Sequence, residues 1–179
     1  MKRGPHTLIS SKDVYTNPWI RVHEDKIVRE NGQEGLYGIV EYSPGVATVA
    51  LNNKGEMYLV KEYLYAADED GICLPGGGVE SHESPLEAAK KELREEAGVT
   101  ADEWIELGCV KPYPMVVNGP QYLFLAKGAR IVSGHEKEFT LITVPFAKAV
   151  DMVMRGEITH AASCIAILKA KQLLDTAAA

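Results

Sequence analysis

Three glutamates, Glu92, Glu95 and Glu96, stand at i, i+3 and i+4. A helix makes them neighbours on one face, where like charge costs about 0.2–0.5 kcal/mol per pair. Ahead of them lies Gly76-Gly77-Gly78, a run whose backbone can come close to a ligand and take positive φ. Carboxylates beside exposed amides and carbonyls are the surroundings that a hard divalent cation with phosphate ligands requires. Alone, the triad would serve equally as a solvated helix face, because glutamate is a good helix former. The adjoining glycines turn the reading toward a cation.

The elements that must hold these groups are legible around them. Ser84, Pro85 and Glu87 read as an N-cap, a proline at the first helical position and the glutamate of a capping box, and Gly98 is placed as the C-terminal stop. The spacing predicts a helix from Pro85 to about Ala97, with Leu86, Ala89, Leu93 and Ala97 as its apolar stripe. Leu74-Pro75 reads as the end of a buried strand. Upstream, strands are expected at Asp25 to Arg29 and Leu36 to Tyr42 around the Asn31-Gly32 turn, and at Val46 to Leu51 and Met57 to Glu62 around Asn52 to Gly55. Downstream, strands are expected at Trp104 to Val110, Gln121 to Ala126 and Thr140 to Val144. Helices should follow from about Phe146 to Met154 and from about His160 to Leu174, the last with Ala161, Cys164, Ile165 and Leu168 toward the core. Strands with helices covering both faces of a mixed sheet make an α/β/α sandwich.

Composition narrows the function classes. At 179 residues the chain can form one compact domain with a sizeable core. Its net charge of −6, from 19 Lys and Arg against 25 Asp and Glu, and the lack of a basic tract argue against nucleic acid as a partner. No apolar run has transmembrane length and the N-terminus lacks a signal-peptide apolar region, so a cytoplasmic protein without a membrane partner is expected. Cys73, Cys109 and Cys164 are odd in number and form no CxxC pair. They argue against a disulfide framework or a zinc site and read as small buried apolar residues.

Gly77, five residues, Glu83, seven residues, and then Lys91-Glu92-Leu93-Arg94-Glu95-Glu96-Ala97-Gly98-Val99 is similar to the signature of the Nudix hydrolases, G-x5-E-x7-R-E-U-x-E-E-x-G-U with U aliphatic. Every specified position matches except Lys91, where the family has arginine. In the family that arginine pairs with the early glutamate, here Glu83, and helps to orient the metal-binding glutamates. Lysine keeps the charge but lacks the planar fork that grips a carboxylate through two bonds. The resemblance implies Mg²⁺, or Mn²⁺, held by Glu92, Glu96 and the carbonyl of Gly76, with Glu95 as a ligand or water-orienting group.

The order of elements around the motif resembles the ADP-ribose pyrophosphatase branch of this family. That likeness implies a small N-terminal β hairpin subdomain at residues 1–43 acting as a homodimer contact, and a hydrolase domain at residues 44–179. The implied reaction is metal-dependent hydrolysis of a pyrophosphate linkage in a nucleoside diphosphate derivative, ADP-ribose or a nucleotide sugar. Two positions depart from the branch. It carries glutamine-tyrosine-arginine where this chain has Glu62-Tyr63-Leu64, and a glutamate where it has Cys73. Loss of that arginine removes a contact to phosphate or ribose, so other nucleoside diphosphate sugars stay open beside ADP-ribose. A general base is also needed. Glu136 and Glu138 are the candidates, Glu138 preferred because it lies nearer the Thr140 strand, on an extended segment where only one of the two can face the site. Gly77 approaches substrate, and Tyr63, Tyr65 and Tyr113 are candidates to stack on a base or, equally, half-buried packing residues. The turn-rich stretch Tyr113 to Pro120 is expected to face the substrate. The other functional class open to this pattern is a non-catalytic binding module for ADP-ribose-like ligands; such modules usually lack motif glutamates that this chain retains.

Overall fold

The computed structural model describes residues 1–178. Strands β1 (Lys2–Arg3), β2 (His6–Thr16), β3 (Ile20–Val28) and β4 (Glu34–Tyr42) open the chain, followed by β5 (Gly45–Leu51), β6 (Glu56–Leu64) and β7 (Glu69–Cys73). After helix α1 (Pro85–Ala97) come β8 (Val99–Thr100), β9 (Glu103–Val110), β10 (Val117–Asn118), β11 (Gln121–Lys127), β12 (Arg130–Ile131) and β13 (Thr140–Pro145). Helices α2 (Phe146–Met154) and α3 (Ala161–Ala178) close it.

Two compact units emerge. The first joins Met1–Pro44 to Lys111–Pro120, in a sheet of order β1-β2-β3-β4-β10. The expected hairpin is present as β3 and β4, but β2 adds a long strand that sequence patterning did not show. The stretch after Lys111, expected as a loop of the hydrolase domain, instead supplies β10, which pairs in parallel with β4. A polar cluster fills part of this sheet. Asp25, buried, accepts from Arg3 at 2.7 Å and lies 3.1 Å from His23 Nδ1, which is also 3.1 Å from the Ser11 hydroxyl. Burial pushes the Asp25 carboxyl up, yet Ser11, His23 and Arg3 together outweigh it and hold the group below the usual carboxylate range.

The second unit, Gly45–Val110 with Gln121 onward, is the α/β/α sandwich. Its sheet runs β13-β6-β5-β11-β9, with β7 also on β6. β11 is parallel to β5 and the other pairs are antiparallel, which makes the sheet mixed. Side chains alternate across it. Val49, Met57 and Leu59 pack with Ala149 and Met152 of α2 and with Ala162, Ala166 and Ile167 of α3, while Tyr58, Val60 and Cys73 pack with Leu93 and Ala97 of α1.

α1 forms over the residues that the caps predict. Ser84 Oγ accepts from the Glu87 amide at 3.3 Å, Glu87 Oε2 accepts from the Ser84 amide at 2.8 Å, and Gly98 ends the helix at φ 64°. Of the expected α3 stripe, Cys164 and Ile165 are half-buried against the core, whereas Ala161 and Leu168 are exposed; the fully buried face lies one step round. It is Ala162, Ser163, Ala166, Ile167 and Ala170, whose small residues let the helix lie close to the sheet. Cys73 is buried and Cys164 half-buried, but Cys109 is exposed on β9, against the expectation of three buried thiols.

Candidate active site

The glycine run lies along β5. The carbonyls of Pro75 and Gly77 accept from the amides of Thr48 and Val46, each at 2.9 Å. A backbone this close leaves no space for side chains. A Cβ on Gly76 would stand 2.0 Å from the Val46 carbonyl oxygen, and one on Gly77 2.6 Å from the Glu92 carboxyl carbon. The run is fixed from behind by Ser163, whose buried hydroxyl accepts from the Leu74 amide at 2.9 Å. Sequence reasoning did not single out Ser163, since a lone serine in a helix carries no signal of a partner so distant in the chain.

α1 presents its carboxylates to this run. Glu96, 7% exposed, accepts from the Gly76 amide at 2.8 Å. Burial is the main cause that lifts its carboxyl to about 8; the Gly76 hydrogen bond opposes the rise, and the charges of Glu92, Glu62 and Glu136 add to it. Burial also lifts the Glu92 carboxyl, against the pull of Lys91. Glu95 is exposed, one step round the helix. The structure therefore gathers Glu92 and Glu96 at the glycine run and turns Glu95 to solvent.

Lys91 takes the place of the family arginine in geometry. Its ammonium lies 3.0 Å from Glu83, 3.0 Å from Glu80 and 3.6 Å from Glu92. The Glu80 amide and Lys91 together hold the Glu83 carboxyl low. Glu80, outside the motif positions, shares the load. We expect Lys91→Ala to lower kcat/KM about tenfold by loosening the Glu92 face, and Lys91→Arg to match or exceed the parent through its two-bond grip. Steady-state kinetics of the two variants checks this, and an alanine variant as active as the parent removes the lysine from that role.

The two candidate bases part company. Residues 136–139 turn rather than extend, with the Phe139 amide donating to the Glu136 carbonyl at 3.3 Å. The Glu136 amide donates to the Glu95 carbonyl at 2.9 Å, and its carboxylate is near enough to contribute to the rise at Glu96. Glu138 sits in the turn, exposed. The extended segment that favoured Glu138 is thus absent, and Glu136 is the one the loop brings to α1. The same loop is tied at Gly98, whose carbonyl accepts from the amides of Val132 at 2.8 Å and Ser133 at 3.3 Å.

The tyrosines are exposed rather than half-buried. Tyr63 alternates to the sheet face opposite Glu62 and donates to Asp68. Tyr65 is 89% exposed in the turn after β6, and Tyr113 is 70% exposed within the first compact unit.

Known proteins match this arrangement along most of the chain. The NUDIX domain family matches residues 41–161. The chain belongs to the Nudix family. Residues 7–40 of this Nudix hydrolase match a second family, the nucleoside diphosphate sugar hydrolase N-terminal domain. It is 29% identical to an ADP-ribose pyrophosphatase of Mycobacterium tuberculosis over 89% of this chain and 80% of that protein. It is 24% identical to an ADP-ribose pyrophosphatase of Bacillus subtilis over 98% of each. The crystal structure of an ADP compounds hydrolase shares the fold, with a TM-score of 0.85 at 19% identity over 98% of this chain and 97% of that one.

The donor set of this Nudix hydrolase suits a divalent cation. It offers oxygens only, and Glu96 is a buried carboxylate crowded by others, an arrangement that calls for positive charge. Among the described residues, no three His, Cys, Asp or Glu side chains close into a ready-made cage.

Proposed function

We propose that this Nudix hydrolase cleaves the pyrophosphate linkage of ADP-ribose or a related nucleotide sugar, giving a nucleoside monophosphate and a sugar phosphate. The observation that carries this reading is the meeting of Glu92 and Glu96 with the Gly76-Gly77 backbone. The names of its relatives support the substrate class. Glu92, Glu96 and the Gly76 carbonyl would hold Mg²⁺ or Mn²⁺, with Glu95 orienting water. When bound, the ion neutralises the diphosphate and polarises phosphorus and water. Glu136 takes the proton as the water oxygen bonds to phosphorus, and the bond from phosphorus to the bridging oxygen breaks. The Glu83–Lys91 pair holds the Glu92 face, and Gly77 admits the substrate. Tyr65 and Tyr113, both exposed, are stacking groups for a base; Tyr63, bonded to Asp68, is the weaker candidate.

In the same reading residues 1–43 are a self-association module and residues 44–179 the hydrolase, working as a homodimer in the cytoplasm. Exposed Ile9, Val14, Tyr15 and Leu36 on the first sheet support self-association, and three free thiols suit a reducing compartment. Among the described residues no helix is long and apolar enough to cross a membrane.

The test is hydrolysis of ADP-ribose, nucleotide sugars and dinucleoside polyphosphates with Mg²⁺ or Mn²⁺, with products resolved by anion exchange. Stoichiometric nucleoside monophosphate and sugar phosphate, abolished by chelator, is the expected result. Tight binding without turnover of any compound would favour a binding module instead.

A further inference from the structure

The Ser163 hydroxyl, which accepts from the Leu74 amide at 2.9 Å, has a proton of its own to place. Ser163 is fully buried, so water is not at hand to take it. Among the described residues the acceptor within reach is His160 Nδ1, at 2.9 Å, on the residue just ahead of α3. The ring nitrogen facing Ser163 must then carry a lone pair, which puts the imidazole proton on Nε2. Burial lowers the pKa of His160 and so favours this neutral form, although the residue as a whole reaches solvent.

Leu74, the residue so held, is where the chain changes partners. Up to Cys73 it pairs with β6, Cys73 lying opposite Val60. From Pro75 onward it lies along β5, where the Pro75 carbonyl takes the Thr48 amide. Among the described residues β5 and β6 pair with each other only at Ala50 with Tyr58 and Leu51 with Met57, so beyond that point each strand has an edge for the crossing chain. At the crossover the Leu74 amide goes to neither strand but to α3. Pro75 has no amide at all. The bond to Ser163 is therefore the last amide tie before Gly76, whose own amide goes to Glu96 at 2.8 Å.

We propose that His160 is a positioning residue for the divalent-cation site: by holding the Ser163 proton it keeps a hydroxyl lone pair on the Leu74 amide, and so sets the Gly76 carbonyl two residues on. Without that acceptor the hydroxyl can turn its proton toward the Leu74 amide, donor against donor, and the crossover loosens. The inference rests on the reading that Gly76, Glu92 and Glu96 hold the ion.

Asparagine and leucine have nearly the same shape, but only asparagine offers an oxygen to stand in for Nδ1. Mn²⁺ binding to the metal-free full chain, followed by the electron paramagnetic resonance of free Mn²⁺, is expected to weaken about fivefold in His160→Leu, the worth of one buried hydrogen bond. Ser163→Ala should weaken it about tenfold, and His160→Asn should match the parent. Adding His160→Leu to Ser163→Ala should bring no further loss, because the histidine acts through the serine. Nitrogen-15 NMR of the parent should show His160 unprotonated at Nδ1 and protonated at Nε2, a reading that needs no variant and stands even if leucine at 160 prevents folding. A folded His160→Leu variant with the parent's Mn²⁺ affinity overturns the proposal, whatever its melting temperature. So does an asparagine variant as weak as the leucine one, additive losses in the double variant, or a proton on Nδ1. These outcomes strike the inference alone, whereas a parent that binds no Mn²⁺ overturns the site reading itself and this inference with it.

Discussion

Glu96→Gln is expected to lower kcat by about 10²–10³-fold, the loss of several kcal/mol of charge stabilisation in the transition state. It should also abolish the rise in melting temperature that saturating Mg²⁺ gives the parent, about 2.7 kcal/mol at a hundred times Kd. Without metal the variant should melt at the parent's temperature or above it. The amide oxygen still accepts from Gly76, as the carboxylate does at 2.8 Å, while a buried group that burial and neighbouring acids already disfavour as an anion is replaced by a neutral one. Opposite signs in the two melts distinguish a cation ligand from a structural residue, whose loss would lower both. Thermal melts with and without Mg²⁺, beside steady-state kinetics, decide it. A variant that keeps the metal-induced gain or the parent's turnover removes Glu96 from the centre.

Glu136→Gln is expected to reduce kcat by about 10²-fold or more with Mn²⁺ affinity largely kept, as loss of a general base should. Glu138→Gln should stay near the parent. Both acids are exposed; the contrast follows from the tie of the Glu136 amide to the Glu95 carbonyl and from its charge reaching Glu96, whereas Glu138 sits in the turn at 136–139. Should Glu138→Gln be the damaged variant, the loop must rearrange around substrate. Should neither fall tenfold, Glu95 becomes the first alternative base.

The parts of this protein governed by short-range rules were legible in its sequence. Ser84, Pro85, Glu87 and Gly98 mark α1 because capping is local chemistry, and the expected strands from Val46 to Val144 fall on β5, β6, β9, β11 and β13 because each packs apolar side chains against the core. β2 escaped notice because His6–Thr16 is exposed along most of its length, leaving no alternation to read. The α3 face was only half found, Cys164 and Ile165 but not the fully buried side, because Ala162, Ala166 and Ala170 offer little contrast in hydropathy with the flanking residues and Ser163 reads as polar. The joining of Lys111–Pro120 to the first unit depends on a two-residue parallel ladder to β4, a contact between distant segments with no local signature. The site divides in the same way. Glu92, Glu96 and Gly76 meet because one motif holds them, whereas the placing of Ser163 depends on how strands and helices stack.

The Glu136 loop is held to α1 by main-chain atoms at each end, the amides of Val132 and Ser133 on the Gly98 carbonyl and that of Glu136 on the Glu95 carbonyl. Every residue except proline carries such an amide. Ser133 and Gly134 are exposed, and a Cβ on Gly134 would meet nothing within 4 Å, so those two positions can take any side chain but proline at 133 without untying the acid. Gly98 has no such latitude, since a Cβ there would stand 2.3 Å from the Ser133 carbonyl oxygen. Inheritance can therefore vary this loop at the rim by point substitution while the acid stays where it is, with Gly98 as the anchor of the loop that must not drift.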